Sequence, residues 1–411
     1  PFHFPEPFQQ NIYFFLTDLP LFLFPLLLFS SFSLSTFFTK SSRYLTLLFF
    51  VFLFSLLLSS SCPLHYARLS HFFLFIVLFS ALEKGLIFQN IRNWFPKIAL
   101  LIVGLSLVQC LFGILQYCLQ NSLGLKFLGE VSNNSWVPFF HGPLSLFGGK
   151  AHEMMRRASG TFPHPNVFGG FLLMAIGCSY FLCAGVESMR KKVWLGVALF
   201  LQILTLCLTF SRAALIAWLI MTVCWCVFCQ RMRVRWHLFA SVIGAFLLAF
   251  VLLLYPAFKA RGGLVNYNKI VKESDEGRIH FQNIAFKMIK AEPLLGVGFN
   301  QYVVRMQEFS PTPLKGDQFF PVHNIYLLIA AESGFLGLAC FLLFVGSIIL
   351  RALKGKMDLV TASLLSLLIG LLFIGGCDFY LLGAQHGKLI FFLVTGLLSL
   401  STLERRNVAL G

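Results

Sequence analysis

Runs of about twenty apolar residues, separated by short charged breaks, recur along the whole of this 411-residue chain. That length suits a helix crossing a hydrocarbon core of roughly 30 Å. A transmembrane barrel would show short alternating segments instead. The charge content agrees: 12% of residues are charged and 58% hydrophobic, against roughly 25% charged in soluble domains. Too little polar surface remains to cover a soluble fold, so the sequence predicts an all-α polytopic membrane protein.

The breaks place eleven spans near residues 12–37, 44–60, 70–89, 98–118, 164–185, 193–210, 212–229, 238–256, 325–350, 359–378 and 387–403. The chain opens on Pro1, and PFHFPEPFQQNIYF reads as a loop leading into a helix. An upstream helix is therefore expected, which would bring the total to twelve; no cleavable signal pattern is seen.

Charge sets the orientation. Lys40 and Arg43, Arg92 and Lys97, Arg190 to Lys192, Arg231, Arg233 and Arg235, Arg351, Lys354 and Lys356, and Arg405 and Arg406 fall on alternate connections. Short loops rich in Lys and Arg stay in the cytoplasm, and the opposite short connection carries only Arg68. The expected organisation is a single membrane domain over 1–403 and a cytoplasmic tail over 404–411. A first periplasmic loop then covers 119–163, and a larger one covers 257–324 between spans eight and nine. The larger loop is too long to lack structure. Ser274, Asp275 and Glu276 read as a helix start, and Ile279, Ile284 and Met288 recur at helical spacing until Pro293.

The cysteines lie mostly inside apolar runs and imply neither a disulfide framework nor a metal site, Cys224, Cys226 and Cys229 included. No phosphate-binding loop, dinucleotide fingerprint or zincin motif is present. Interspersed acids and bases outside the membrane do not suggest a nucleic-acid partner.

Several polar residues stand at the outer ends of spans. Arg212, in TFSRAALIAWL, either snorkels at the interface or faces a polar cavity. Arg278 falls in the first turn expected for the loop helix, where a guanidinium and a helix N-terminus together suit an anion. A salt bridge with Asp275 or Glu276 is the plainer reading. His323, in FFPVHNIYLLIAAESGFLGL, sits where the loop re-enters the membrane, with an ordinary pKa suited to accepting a proton. A structural interfacial histidine is the alternative. RRASGTFPHPNVFGG adds Arg157, His164 and Asn166 around a Gly/Pro-shaped turn, and Asn324 follows His323. Glu332 and Asp378 are acids at membrane depth, suspects for function by default.

Taken in order, RASGTFPHPNVFGG, TFSRAAL, RIHFQNIAF with PLLGVGFNQY, VHNIYL with ESGFLGL, and DFYLLGAQHGKLIFFLVTGLL resemble the O-antigen ligase and polymerase superfamily over roughly residues 90–403. The resemblance implies a GT-C-like helical bundle in the bacterial inner membrane, with a site facing the periplasm. It implies a glycan donor on undecaprenyl pyrophosphate and, for ligases, a lipid A–core acceptor. Arg212 and Arg278 become the pyrophosphate binders and His323 the catalytic base. Arg157, His164, Asn166, Asn324, Glu332 and Asp378 are possible supporting residues. Neither a cofactor nor a metal is expected, and the transfer is expected to invert the anomeric centre. Ligase is the first reading. A polymerase or a protein-glycosylating transferase would use the same donor, and a transporter or flippase is the different class, though no internal repeat supports it.

Overall fold

A computed structural model describes residues 41–59, 63–130, 140–141, 154–233, 269–314 and 318–410. Its helices are α1 (Ser42–Leu57), α2 (Pro63–Glu83), α3 (Ile91–Leu119), α4 (Pro165–Gly185), α5 (Met189–Leu208), α6 (Arg212–Arg231) and α7 (Lys269–Ala291). They continue as α8 (Tyr302–Phe309), α9 (Ile325–Lys354), α10 (Leu359–Cys377), the short α11 (Tyr380–Gly383) and α12 (Gln385–Leu410). Apart from a two-residue antiparallel pairing of Phe140–His141 with Met154–Met155, the described structure is helical.

Among the described residues, eight helices are long and apolar enough to cross a membrane: α2 from His65, α3 to α6, α9, α10, and α12 as far as Glu404. The shorter apolar α1 accompanies them. All eight correspond to expected spans, and the protein is an all-α polytopic membrane protein. The expected spans at 12–37 and 238–256 lie outside the described residues.

The chain forms two compact units. The first contains α1, α2, the part of α7 from Glu276 onward, α8, α9, α11 and α12. Here α1 packs on α9 and α2, and α12 packs on α2 and α9. Phenylalanines supply much of the interhelical bulk: Phe75 stacks on Phe392 at 5.3 Å, Phe79 meets Phe344 edge-on at 5.1 Å, and Phe52 stacks on Phe299 at 4.4 Å. Near the C-terminal end of α9, Arg351 pairs with the buried Glu83 at 3.1 Å and donates to Ser399 at 2.8 Å. A carboxylate taken out of water needs such partners.

The second unit contains most of α3, then α4, α5, α6 and most of α10. Small residues allow its helices to approach: a Cβ on Gly169 would stand 2.8 Å from Ala214 Cβ, and one on Gly370 would stand 3.1 Å from the Ala217 carbonyl. Polar side chains satisfy one another across helices, Ser179 donating to Gln202 and Gln202 to Ser106, each at 2.8 Å. Leu100, Leu101, Leu105 and Leu111 of α3 remain exposed, as a lipid-facing stripe would.

The loop helix departs from expectation. α7 begins at Lys269, not at Ser274, so Arg278 lies well inside the helix instead of in its first turn. The stretch KIVKE ahead of Ser274 contains good helix formers, and Ser274 is read through as an interior residue. Amides at a helix N-terminus therefore do not assist Arg278.

Candidate active site

The most informative surroundings are those of His323. Asn324 is the N-cap of α9: its side-chain oxygen accepts from the amides of Tyr326 at 2.9 Å and Leu327 at 3.1 Å. Its amide nitrogen donates to the Gly376 carbonyl at 3.1 Å, joining the start of α9 to the end of α10. Gly375 permits this closure, because a Cβ there would lie 2.6 Å from Ile325 Cδ1. His323 is thus held one residue ahead of a doubly anchored cap.

Two rings bound the imidazole. Phe281 from α7 lies nearly parallel to it, with centroids 6.4 Å apart and planes 14° apart. Phe379, beyond α10, meets it edge-on at 5.4 Å. His323 Nδ1 is buried and has no hydrogen-bond partner among the described residues. Burial lowers the His323 pKa; Asp378 opposes this and Arg278 adds to it. The imidazole is therefore neutral near pH 7, the form in which it can accept a proton.

Asp378 is buried, and one of its oxygens accepts from the Phe379 amide at 2.8 Å. Tyr380, two residues on, buries its phenol with no hydrogen-bond partner among the described residues. Burial and the Asp378 charge raise its pKa well above the ordinary tyrosine value. Arg278, His323, Asn324 and Asp378 accordingly belong to one neighbourhood of the first unit.

Glu332 belongs to a second arrangement in the same unit. α9 is broken at Gly334, with φ 67° and ψ −171°, and the break leaves main-chain groups without helical partners. The segment PLLGVG supplies them. Val297 N–H donates to the Ala331 carbonyl at 2.9 Å and Gly298 N–H to the Glu332 carbonyl at 3.1 Å; Phe335 N–H donates to the Pro293 carbonyl at 2.8 Å. At membrane depth such groups must be satisfied within the protein. A Cβ on Gly334 would stand 2.1 Å from the Leu294 carbonyl oxygen, and one on Gly296 would stand 2.4 Å from Ser333 N. The Glu332 carboxylate accepts from the Tyr302 amide at 3.3 Å, and Arg68 lies within electrostatic reach. Arg68 itself donates to Asn300 at 3.0 Å.

The remaining candidates lie in the second unit. Arg212 is exposed at the start of α6, whose N-cap Ser211 accepts from the Ala214 amide at 3.4 Å. Arg157 is buried; it donates to the Thr209 carbonyl at 2.6 Å and to the Asn166 side chain at 2.8 Å. His164 caps α4, its Nδ1 accepting from the Asn166 amide at 3.1 Å. These bonds fix the turn between α5 and α6 to the start of α4. Beside them, Arg156 pairs with buried Glu130 at 3.4 Å, and Glu130 accepts from Gln116 at 2.8 Å. Among the described residues, no group of three His, Cys, Asp or Glu side chains is placed to hold a metal ion.

Sequence reasoning passed over Phe281, Phe379, Tyr302 and Tyr380. FNQY and DFY contain three of them, but spacing alone does not bring an aromatic ring to an imidazole.

Residues 197–342 match the family model described as O-antigen ligase. The match contains Arg212, Arg278, His323, Asn324 and Glu332, and ends ahead of Asp378. No curated protein matches the chain.

Proposed function

We propose that this chain, a member of the O-antigen ligase and polymerase superfamily, transfers a glycan from undecaprenyl pyrophosphate to a hydroxyl of lipid A–core at the periplasmic face of the bacterial inner membrane. The observation that carries the reading is His323 itself: an imidazole bounded by two rings, its Nδ1 buried and without a hydrogen-bond partner among the described residues, under the combined fields of Arg278 and Asp378.

The chemistry follows from those groups. His323 takes the proton of the acceptor hydroxyl as its oxygen attacks the anomeric carbon. The bond from that carbon to the pyrophosphate oxygen breaks with its electron pair leaving on the diphosphate. Attack opposite the leaving group inverts the anomeric configuration. Negative charge grows on the diphosphate, and guanidinium groups, which bind phosphate through a rigid fork, stabilise it there. The resemblance assigns this role to Arg278 and to Arg212, in place of a metal. Asp378 stabilises the imidazolium formed by proton transfer.

A membrane setting suits the donor: its polyprenyl tail stays in hydrocarbon while its sugars remain in water. The resemblance supports the ligase reading, and the family match is equally compatible with a polymerase. Purified protein in proteoliposomes, given a lipid-linked glycan and lipid A–core, is expected to place glycan on lipid A–core. A ladder of lengthened lipid-linked chains would make it a polymerase. Movement of the donor across the bilayer without its consumption would make it a transporter and refute the proposal.

A further inference from the structure

Tyr302 is wholly buried, and its main-chain N–H and its phenol are both engaged. Its main-chain N–H donates to Glu332 Oε1 at 3.3 Å, just ahead of the break in α9. Its phenol donates to the Phe281 carbonyl at 2.6 Å, in the middle of α7. The ring of the same Phe281 lies against His323, 6.4 Å away and 14° from parallel. Tyr302 also shares a core with Ile284, Met288, Val322 and Ala331, and Val322 immediately precedes His323.

A phenylalanine would fill this core equally well without a hydroxyl to bury. A buried hydroxyl is costly unless it is hydrogen-bonded, and this one is spent on a main-chain carbonyl of α7. The bond fixes where α7 stands relative to the PLLGVG segment and α9. Burial raises the phenol pKa, keeping the proton on the donor.

We infer that Tyr302 is a positioning residue for His323, holding Phe281 against the imidazole so that the base keeps one orientation and stays shielded from water. The inference rests on His323 being the base. The charged groups acting on the ring are Arg278 from α7 and Asp378 from the segment after α10. Next in sequence to Phe281 or to Asp378 and Phe379 stand the titratable His280, which meets Ser310 at 3.3 Å, and Cys377 and Tyr380. None of these is altered when the Tyr302 hydroxyl is removed. Water reaching the imidazole would weaken the desolvation that lowers its pKa.

The test is Tyr302→Phe in the full chain in proteoliposomes, with kcat and donor KM measured across pH. The expected result is a fall in kcat on the order of tenfold, because misplacing a catalytic group slows the chemistry, with donor KM little changed. The acid limb should move up toward the ordinary histidine value. Phe281→Leu, which leaves the Tyr302 hydrogen bond to the main chain in place, should move the limb in the same direction. A wild-type kcat with an unmoved acid limb in Tyr302→Phe overturns the inference. Should that variant not accumulate, an unmoved limb in Phe281→Leu overturns it equally. His323→Ala, assayed alongside, separates the two claims. Full activity there removes the base assignment; an inactive alanine variant with unmoved limbs in the other two removes only the positioning role.

Discussion

The side-chain amide of Asn324 donates to the Gly376 carbonyl at 3.1 Å, so the residue that caps α9 also holds the end of α10. Asn324→Ala removes this bond and both cap bonds. Loss of a cap alone typically costs about 1 kcal/mol. The variant should unfold at lower temperature and lose turnover through the displaced His323. Asn324→Asp keeps the cap acceptor and should recover most of the stability. Thermal unfolding with parallel transfer assays checks both.

The acid limb of activity should lie below the ordinary histidine pKa, because burial first, and then Arg278, disfavour the imidazolium while Asp378 favours it. Arg278→Gln removes a like charge and should move the limb to higher pH. Asp378→Asn removes the favourable charge and should move it to lower pH. The sign for stability follows from the same shift. The unfolded state binds a proton at a higher pH than the folded state, so the His323 contribution falls as pH drops from the ordinary histidine value through the lowered one. A pH–rate profile of each variant checks the two directions.

Gly334 carries a φ of 67° and stands where a Cβ would be 2.1 Å from the Leu294 carbonyl oxygen. Gly334→Ala must strain the backbone and push the PLLGVG segment away. Backbone strain at such a position costs about 1–3 kcal/mol before the clash is counted. Reduced accumulation in the membrane and a lowered unfolding temperature are expected. Gly346, where a Cβ would meet nothing within 4 Å, is the control: its alanine variant should behave as wild type.

Much of the fold is legible in the sequence because a hydrocarbon layer imposes a length on every apolar run. The runs near 98–118, 164–185 and 359–378 reappear as α3, α4 and α10 for that reason. The break inside α9 is not legible as an apolar run, since ESGFLG stays apolar enough to read straight through. It becomes intelligible only when PLLGVG is seen to satisfy the opened main chain. The start of α7 is missed because a local cap signal at Ser274 competes with helix-compatible residues on both sides. In the site, His323 stands out in sequence by its chemical type and its place at a span entrance. Its neighbours Phe281 and Phe379 are 42 and 56 residues distant in the chain and carry no motif of their own for this contact.

Arg212→Ala and Arg278→Ala should chiefly raise the donor KM. A charge-assisted hydrogen bond contributes about 1.5–3 kcal/mol, so each loss corresponds to roughly 10- to 100-fold in donor use. A chelator added to the assay should leave the rate unchanged. Kinetics with the lipid-linked donor varied at saturating acceptor, with and without chelator, check both statements.

The most direct test is the rate of glycan transfer by the His323→Ala protein in proteoliposomes supplied with lipid-linked donor and lipid A–core. Removal of the base should lower turnover by about two orders of magnitude or more, while donor binding and thermal unfolding stay close to wild type. An alanine variant that transfers glycan at the wild-type rate would contradict the account.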